Sequence, residues 1–184
     1  MGNPGQVDPG VGGLFVLSSQ PKPAIAKCML SGVTISNGLA WTADGATMYY
    51  IDTVLERVDA FDYDAVEGEI SNRRVAFHIP PNTGHPDGCC IDAEGNLWVA
   101  QWGGSRVVAY RPTDGAVIAQ VRLPTSLISS VTFGGEGLND LFITSAKEHL
   151  TVEERAQQPE AGNCFIVRDC GFKGVPACIY NARV

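Results

Sequence analysis

The strongest constraint on this chain is a unit of short strands that recurs along it. Ser36-Asn37-Gly38-Leu39-Ala40-Trp41, the turn around Asp44-Gly45, and Thr47-Met48-Tyr49-Tyr50-Ile51-Asp52 read as strand, tight turn, strand. The Asp-Gly dipeptide supplies the turn, and the run after it is rich in aromatic and β-branched residues. Residues 57–63 alternate polar and apolar, Val66-Glu67-Gly68-Glu69 reverses the chain, and residues 73–79 form a fourth strand. The pattern returns at 88–92, 97–100, 106–110 and 117–123, and a third time at 130–133 and 141–144. Met48, Leu97 and Leu141 hold equivalent places, 49 and 44 residues apart.

Four-strand repeats of this length are blades of a β-propeller. A two-sheet sandwich could hold the same strands but does not predict self-similarity at this period. Blade strands are packed on both faces, which accounts for the continuously apolar runs 48–51 and 97–100. The expected fold is all-β: an incomplete propeller of somewhat over three four-stranded blades spanning 13–184, after a disordered lead at 1–12. Strands at 13–17 and 26–30 flank Pro21-Lys22-Pro23, which cannot lie inside a ladder. Thr151 with Glu154 three residues later is a capping box and predicts a short helix inserted in the third blade. Strands are expected again at 162–167 and, last, from Val175 to Tyr180.

Composition narrows the partners. The 184 residues carry 13 basic and 20 acidic side chains, a net charge of −7 without a Lys/Arg cluster. Nucleic acid and anionic membrane are therefore poor partners, and a cation is the natural ligand to consider. None of the six cysteines forms a C-x-x-C pair, so zinc-ribbon and thioredoxin chemistry lack support. With no secretory leader pattern and no apolar run near the ~18 residues of a membrane span, the expected location is a reducing cytoplasm. Cys89 and Cys90 are expected as small core fillers on opposite faces of one strand.

Asn37 and Asp87 carry the chemical interest. They stand fifty residues apart at equivalent points of successive units, in Ser36-Asn37-Gly38 and Pro86-Asp87-Gly88. Alone, each would be a turn residue, since Asn-Gly and Asp-Gly are turn dipeptides. Their recurrence where an innermost strand begins sets them apart. His85 lies on the same side of an extended segment as Asp87 but reads as a histidine at the mouth of the site. Asp62-Tyr63-Asp64 partly matches a calcium loop, yet Val66 takes a ligand position and Gly68 comes one residue late, so it reads as a hairpin turn. Ser126, Ser129 and Ser130 lack a nucleophile-elbow context.

Several segments together resemble one family. They are Ser36-Asn37-Gly38-Leu39-Ala40-Trp41, Tyr49-Tyr50-Ile51-Asp52, Val58-Asp59-Ala60-Phe61-Asp62-Tyr63-Asp64, Ile70-Ser71-Asn72-Arg73-Arg74, Pro86-Asp87-Gly88, Gly95-Asn96-Leu97-Trp98-Val99-Ala100, Phe133-Gly134-Gly135 and Gln158-Pro159-Glu160-Ala161-Gly162. In this order they resemble regucalcin and the gluconolactonases (senescence marker protein, luciferin-regenerating enzyme), six-bladed propellers with a divalent metal on the axis. The resemblance implies metal-assisted hydrolysis of a sugar-acid lactone, with Asn37 and Asp87 as metal ligands and Asp87 as the base. Ca²⁺, Zn²⁺, Mn²⁺ and Mg²⁺ all remain open as the metal. The family's third ligand, a Glu near the N-terminus, has no counterpart, because Asp8 is the only acidic residue before Asp44. Its substrate-binding Arg is also missing, since no Arg precedes Arg57. The chain resembles the C-terminal part of the family, with about 100 residues absent on the blade arithmetic. Weak or absent turnover follows as an expectation. The alternative is an inactive propeller fragment that binds calcium or a protein partner, and self-association through uncovered blade faces is expected in either case.

Overall fold

Strand β8 (Leu97–Trp102) shows how the apolar runs are used. Leu97 and Val99 face one neighbouring sheet, whereas Trp98 and Ala100 face the other. Successive side chains of a strand point to opposite faces, so a strand sandwiched between two sheets must be apolar at every position. The computed structural model describes residues 7–17 and 25–177 and contains four antiparallel sheets.

The first sheet pairs β1 (Gly12–Leu17) with β2 (Ala26–Val33). The second runs β3 (Ser36–Trp41), β4 (Thr47–Asp52), β5 (Arg57–Asp64) and β6 (Glu69–His78) in sequence order. The third repeats that meander with β7 (His85–Ile91), β8, β9 (Arg106–Tyr110) and β10 (Val117–Arg122). The fourth has three strands: β11 (Ile128–Gly134), β12 (Asp140–Ser145) and β13 (Cys164–Val167). The expected incomplete ring is thus two full blades flanked by a two-stranded and a three-stranded sheet. Helix α1 (Val152–Gln157) lies between β12 and β13, capped by Thr151 and Glu154 in the predicted box. β1 begins at Gly12, the last residue assigned to the lead, and residues 1–6 fall outside the described residues.

Three apolar layers separate the four sheets. Leu14 and Leu30 pack on Val33, Met48, Tyr50 and Phe61. Ala40, Ile51, Val58 and Phe77 meet Ile91, Leu97, Val99 and Tyr110 across the next layer. Trp98, Ala100, Val107 and Ala109 meet Ile128, Val131, Leu141 and Ile143 across the third. Each of the larger side chains contributes roughly 1.5–3 kcal/mol by leaving water. Cys89 joins the second layer and Cys90 the third, on opposite faces of β7 as expected.

The strand expected from Val175 to Tyr180 is corrected. Residues 175–177 are not in a strand, and 178–180 lie outside the described residues. The chain leaves β13, forms a single bridge between Gly174 and Asp92, and packs Val175 against the second layer. Pro176 could not donate to a ladder in any case. The crossing is close: a Cβ on Gly174 would lie 2.2 Å from Phe133 Cβ, which only glycine avoids.

Candidate metal centre

The innermost strands β3, β7 and β11 lie side by side. Each carries one extra residue at the same place in its pairing with the next strand. The register slips between Ser36 and Leu39 in β3, between Pro86 and Cys89 in β7, and between Ile128 and Ser130 in β11. These β-bulges hold Asn37-Gly38, Asp87-Gly88 and Ser129. A bulge locally breaks the alternation of a strand and re-aims the side chain it carries. The two sequence-predicted site residues therefore occupy equivalent bulges, with Ser129 in the third.

The glycine that follows each candidate ligand lets the bulges approach. A Cβ on Gly38 would sit 2.6 Å from Cys89 Sγ and 2.9 Å from the Asp87 carbonyl oxygen. A Cβ on Gly88 would sit 2.4 Å from Ser130 Oγ and 2.9 Å from the Ser129 carbonyl oxygen. The Asn-Gly and Asp-Gly pairs are thus more than turn dipeptides: each glycine accommodates the inner strand of the next sheet.

Asn37 is half-buried, and one hydroxyl orients it. Its amide nitrogen donates to Thr53 Oγ1 at 2.8 Å, and the Thr53 hydroxyl donates to the Pro86 carbonyl oxygen at 2.8 Å. The Asn37 side-chain oxygen accepts no hydrogen bond among the described residues and remains available to a ligand. Pro86 immediately precedes Asp87, so one hydroxyl joins the two candidate ligands across adjacent sheets. Thr53 escaped sequence reasoning, because its partners lie 16 and 33 residues away and nothing beside it in the chain announces them.

Asp87 is also half-buried and has no side-chain donor among the described residues. Burial pushes its carboxyl up to about 6, with the Gly88 N–H opposing the rise. A cation would relieve that desolvation directly, since an opposite charge favours the ionised form. Asn37 and Asp87 offer hard oxygen donors, one neutral and one anionic, of the kind Ca²⁺, Mg²⁺ and Mn²⁺ accept. The residues present fit a divalent cation on that ground.

The other candidates have different employment. His85 is exposed at the start of β7 and pairs with Glu56, rather than joining Asp87. Asp62 accepts from Asn72 at 2.6 Å and from Arg74 at 2.7 Å on the outer strands, while Asp64 Oδ1 caps the turn through the N–H groups of Val66 and Glu67. That segment is a hairpin turn, as read. Ser129 Oγ lies 2.9 Å from Thr144 Oγ1. Asp8 is exposed near the start of the described residues. No cluster of three or more His, Cys, Asp or Glu capable of holding a metal occurs among the described residues.

Serially packed antiparallel sheets whose adjacent inner strands carry matching bulges define a partial β-propeller. The family model of the SMP-30/Gluconolactonase/LRE-like region matches residues 1–147. The chain belongs to this family. Regucalcin of Danio rerio is 41% identical over 194 residues, covering 97% of this chain and 65% of the relative. Human regucalcin is 43% identical over 148 residues, covering 80% and 50%. Among solved structures, a luciferin-regenerating enzyme superposes with a TM-score of 0.80 at 38% identity, covering 91% of this chain and 54% of that one. A calcium-binding protein, regucalcin from Agrobacterium tumefaciens, gives a TM-score of 0.83 at 27% identity with similar coverage, 91% and 55%. The chain therefore spans between half and 65% of the length of these curated relatives.

Proposed function

We propose that this chain is a lactonase-like protein that binds a divalent cation through Asn37 and Asp87 and acts on sugar-acid lactones. The observation that carries this reading is the Asn37–Thr53–Pro86 hydrogen-bond chain, which leaves the Asn37 oxygen without a partner among the described residues and ties β3 to the bulge that holds the desolvated Asp87 carboxyl. Family membership supplies the substrate class, since a gluconolactonase of Xanthomonas campestris superposes at 28% identity with a TM-score of 0.58. A bound divalent cation would polarise the lactone carbonyl and lower the pKa of a bound water. Asn37 contributes a neutral oxygen that keeps the site cationic, and Asp87 contributes the charge and a place for the water's proton. Two protein ligands are few for Ca²⁺, which takes 6–8 oxygens, so weak affinity and slow turnover relative to longer relatives follow.

Calorimetric titration with Ca²⁺, Zn²⁺ and Mn²⁺ tests the site. Asp87→Ala is expected to abolish binding, while Asp62→Ala, which removes the same charge from the outer strands, retains it. Equal loss from both would mean diffuse attraction to an acidic surface. A lactonase assay with each metal then separates enzyme from binding module. Gluconolactone turnover equal to that of a full-length relative would contradict the predicted impairment.

A second reading rests on the incomplete outer sheets: a catalytically inactive propeller module that binds calcium or a protein partner. Self-association belongs to both readings, because Phe15, Leu17 and Ile25 are more than half exposed on or beside the two-stranded sheet. A cytoplasmic location is proposed with them, consistent with free thiols at Cys28, Cys89, Cys90, Cys164 and Cys170. No helix among the described residues is long and apolar enough to cross a membrane.

A further inference from the structure

We infer that Thr53 is a positioning residue of the cation site, setting which atom of Asn37 faces the ligand and tying the Asp87 bulge to it. The inference rests on the cation reading of Asn37 and Asp87. Its physical basis is the single proton of a hydroxyl group. Thr53 Oγ1 lies 2.8 Å from the Pro86 carbonyl oxygen, which can only accept, so the proton is committed there. Toward Asn37, also 2.8 Å away, the same oxygen can then only accept. The Asn37 NH₂ must face Thr53, and its carbonyl oxygen must face away. With the amide turned over, two oxygens would oppose each other with no proton between them. The orientation that leaves Asn37 able to ligate a cation is thus imposed by a residue that acts through Asn37 and needs no contact with the cation itself.

Thr53 is itself fixed. It opens the single 3-10 turn Thr53–Leu55, its N–H donates to the Ile35 carbonyl at 3.0 Å, and its carbonyl accepts from the Glu56 N–H at 3.1 Å. The preceding Asp52, 5% exposed, accepts from the N–H groups of Thr34 and Ile35 at 3.0 and 2.9 Å. The entry to β3 and the exit of β4 are thereby locked together on either side of the hydroxyl. A β-branched side chain is stiff about χ1, which further narrows where Oγ1 can be. One oxygen thus connects β3, the β4–β5 connection and β7, so its removal loosens both candidate ligands together.

Outer hydrogen-bond partners of metal ligands commonly control affinity by about 10–100-fold. The test uses the full 184-residue chain, with Ca²⁺ and Mn²⁺ alone as probes in calorimetry. Thr53→Val, nearly isosteric but without the hydroxyl, is expected to weaken binding by at least ~10-fold. Thr53→Ser keeps the hydroxyl and should restore affinity to within roughly threefold of the parent. In an Asn37→Ala background, Thr53→Val should cost distinctly less than it does alone, because half of what it positions is gone. Thermal melts accompany each variant, and Thr53→Ala replaces Thr53→Val if the latter does not melt cooperatively. Parent-like affinity in Thr53→Val, or a Thr53→Ser variant as weak as Thr53→Val, would overturn the role of Thr53 while leaving the cation site standing. No binding by the parent chain would instead defeat the cation reading and this inference with it.

Discussion

Asp87 and Asp92 stand five residues apart, one in β7 and one just after it, and meet opposite fates. Asp92 is 2% exposed and saturated. It accepts from the N–H groups of Glu94 and Asn96 at 3.0 and 2.8 Å, from the Asn96 amide at 3.0 Å and from the Trp98 indole at 3.0 Å. Asp87 is less buried but has no side-chain donor, and its carboxyl is raised to about 6. A buried carboxylate surrounded by donors holds a turn together; one that loses water with only a backbone N–H in return is left available to a ligand. Asp59 belongs with Asp92, since Arg57 and Arg73 both bond its carboxylate. Asp140 does as well, bonded by the Arg168 side chain and the Asp169 N–H.

The largest expected effect is on the structural side of this contrast. Asp92→Ala strips charge-assisted bonds from buried donors on Asn96 and Trp98 and should cost about 3 kcal/mol or more. For a chain of this length that lowers the melting midpoint by roughly 10 °C. Asp87→Asn, which removes a desolvated charge, should melt at or above the parent without metal. An Asp92→Ala protein as stable as the parent would erase the distinction between the two carboxylates.

The contrast between satisfied interior and open margin extends to whole sheets. β3–β6 and β7–β10 are packed on both faces, whereas β1–β2 leaves Phe15 and Leu17 exposed at 56% and 58%. Leu14 of the same strand packs inward, and at the other end Phe165 and Val167 do so while Ile166 stays exposed. The uncovered margin is therefore narrower than the strand sequences alone suggest. Sedimentation at micromolar concentration should show self-association, and a Phe15→Ser, Leu17→Ser double variant should shift it toward monomer. A compact monomer of the parent that binds no hydrophobic dye would refute the open-margin account.

The smallest expected effect is on the pH dependence of metal-free stability. Folded Asp87 keeps its proton up to about 6, while in the unfolded chain it loses it near the ordinary 3.8. Between those values the folded state binds more protons, so this group lowers stability as pH rises through the window. Above it, the loss is complete. Hydrogen bonds hold Asp44, Asp62, Asp64, Asp114 and Asp140 below the usual range, which gives the opposite slope at lower pH. The difference between the parent and Asp87→Asn isolates the Asp87 contribution in chemical denaturation run from pH 4 to 7. A flat difference across that range would show that Asp87 is not desolvated.

The sequence by itself determined the blades, because burial on both faces demands unbroken apolar runs and turns demand Asp-Gly and its relatives, and both are written locally. It also marked Asn37 and Asp87, since repetition brings equivalent positions into register without any coordinates. Only the tertiary structure decided that both sit in β-bulges, because an extra residue is defined against the partner strand. It alone showed the segment after β13 leaving its sheet to bridge Asp92. It alone supplied Thr53, whose single proton must choose between Asn37 and Pro86. Such a choice depends on which polar atoms lie within 3 Å, and Asn37 and Pro86 belong to adjacent sheets.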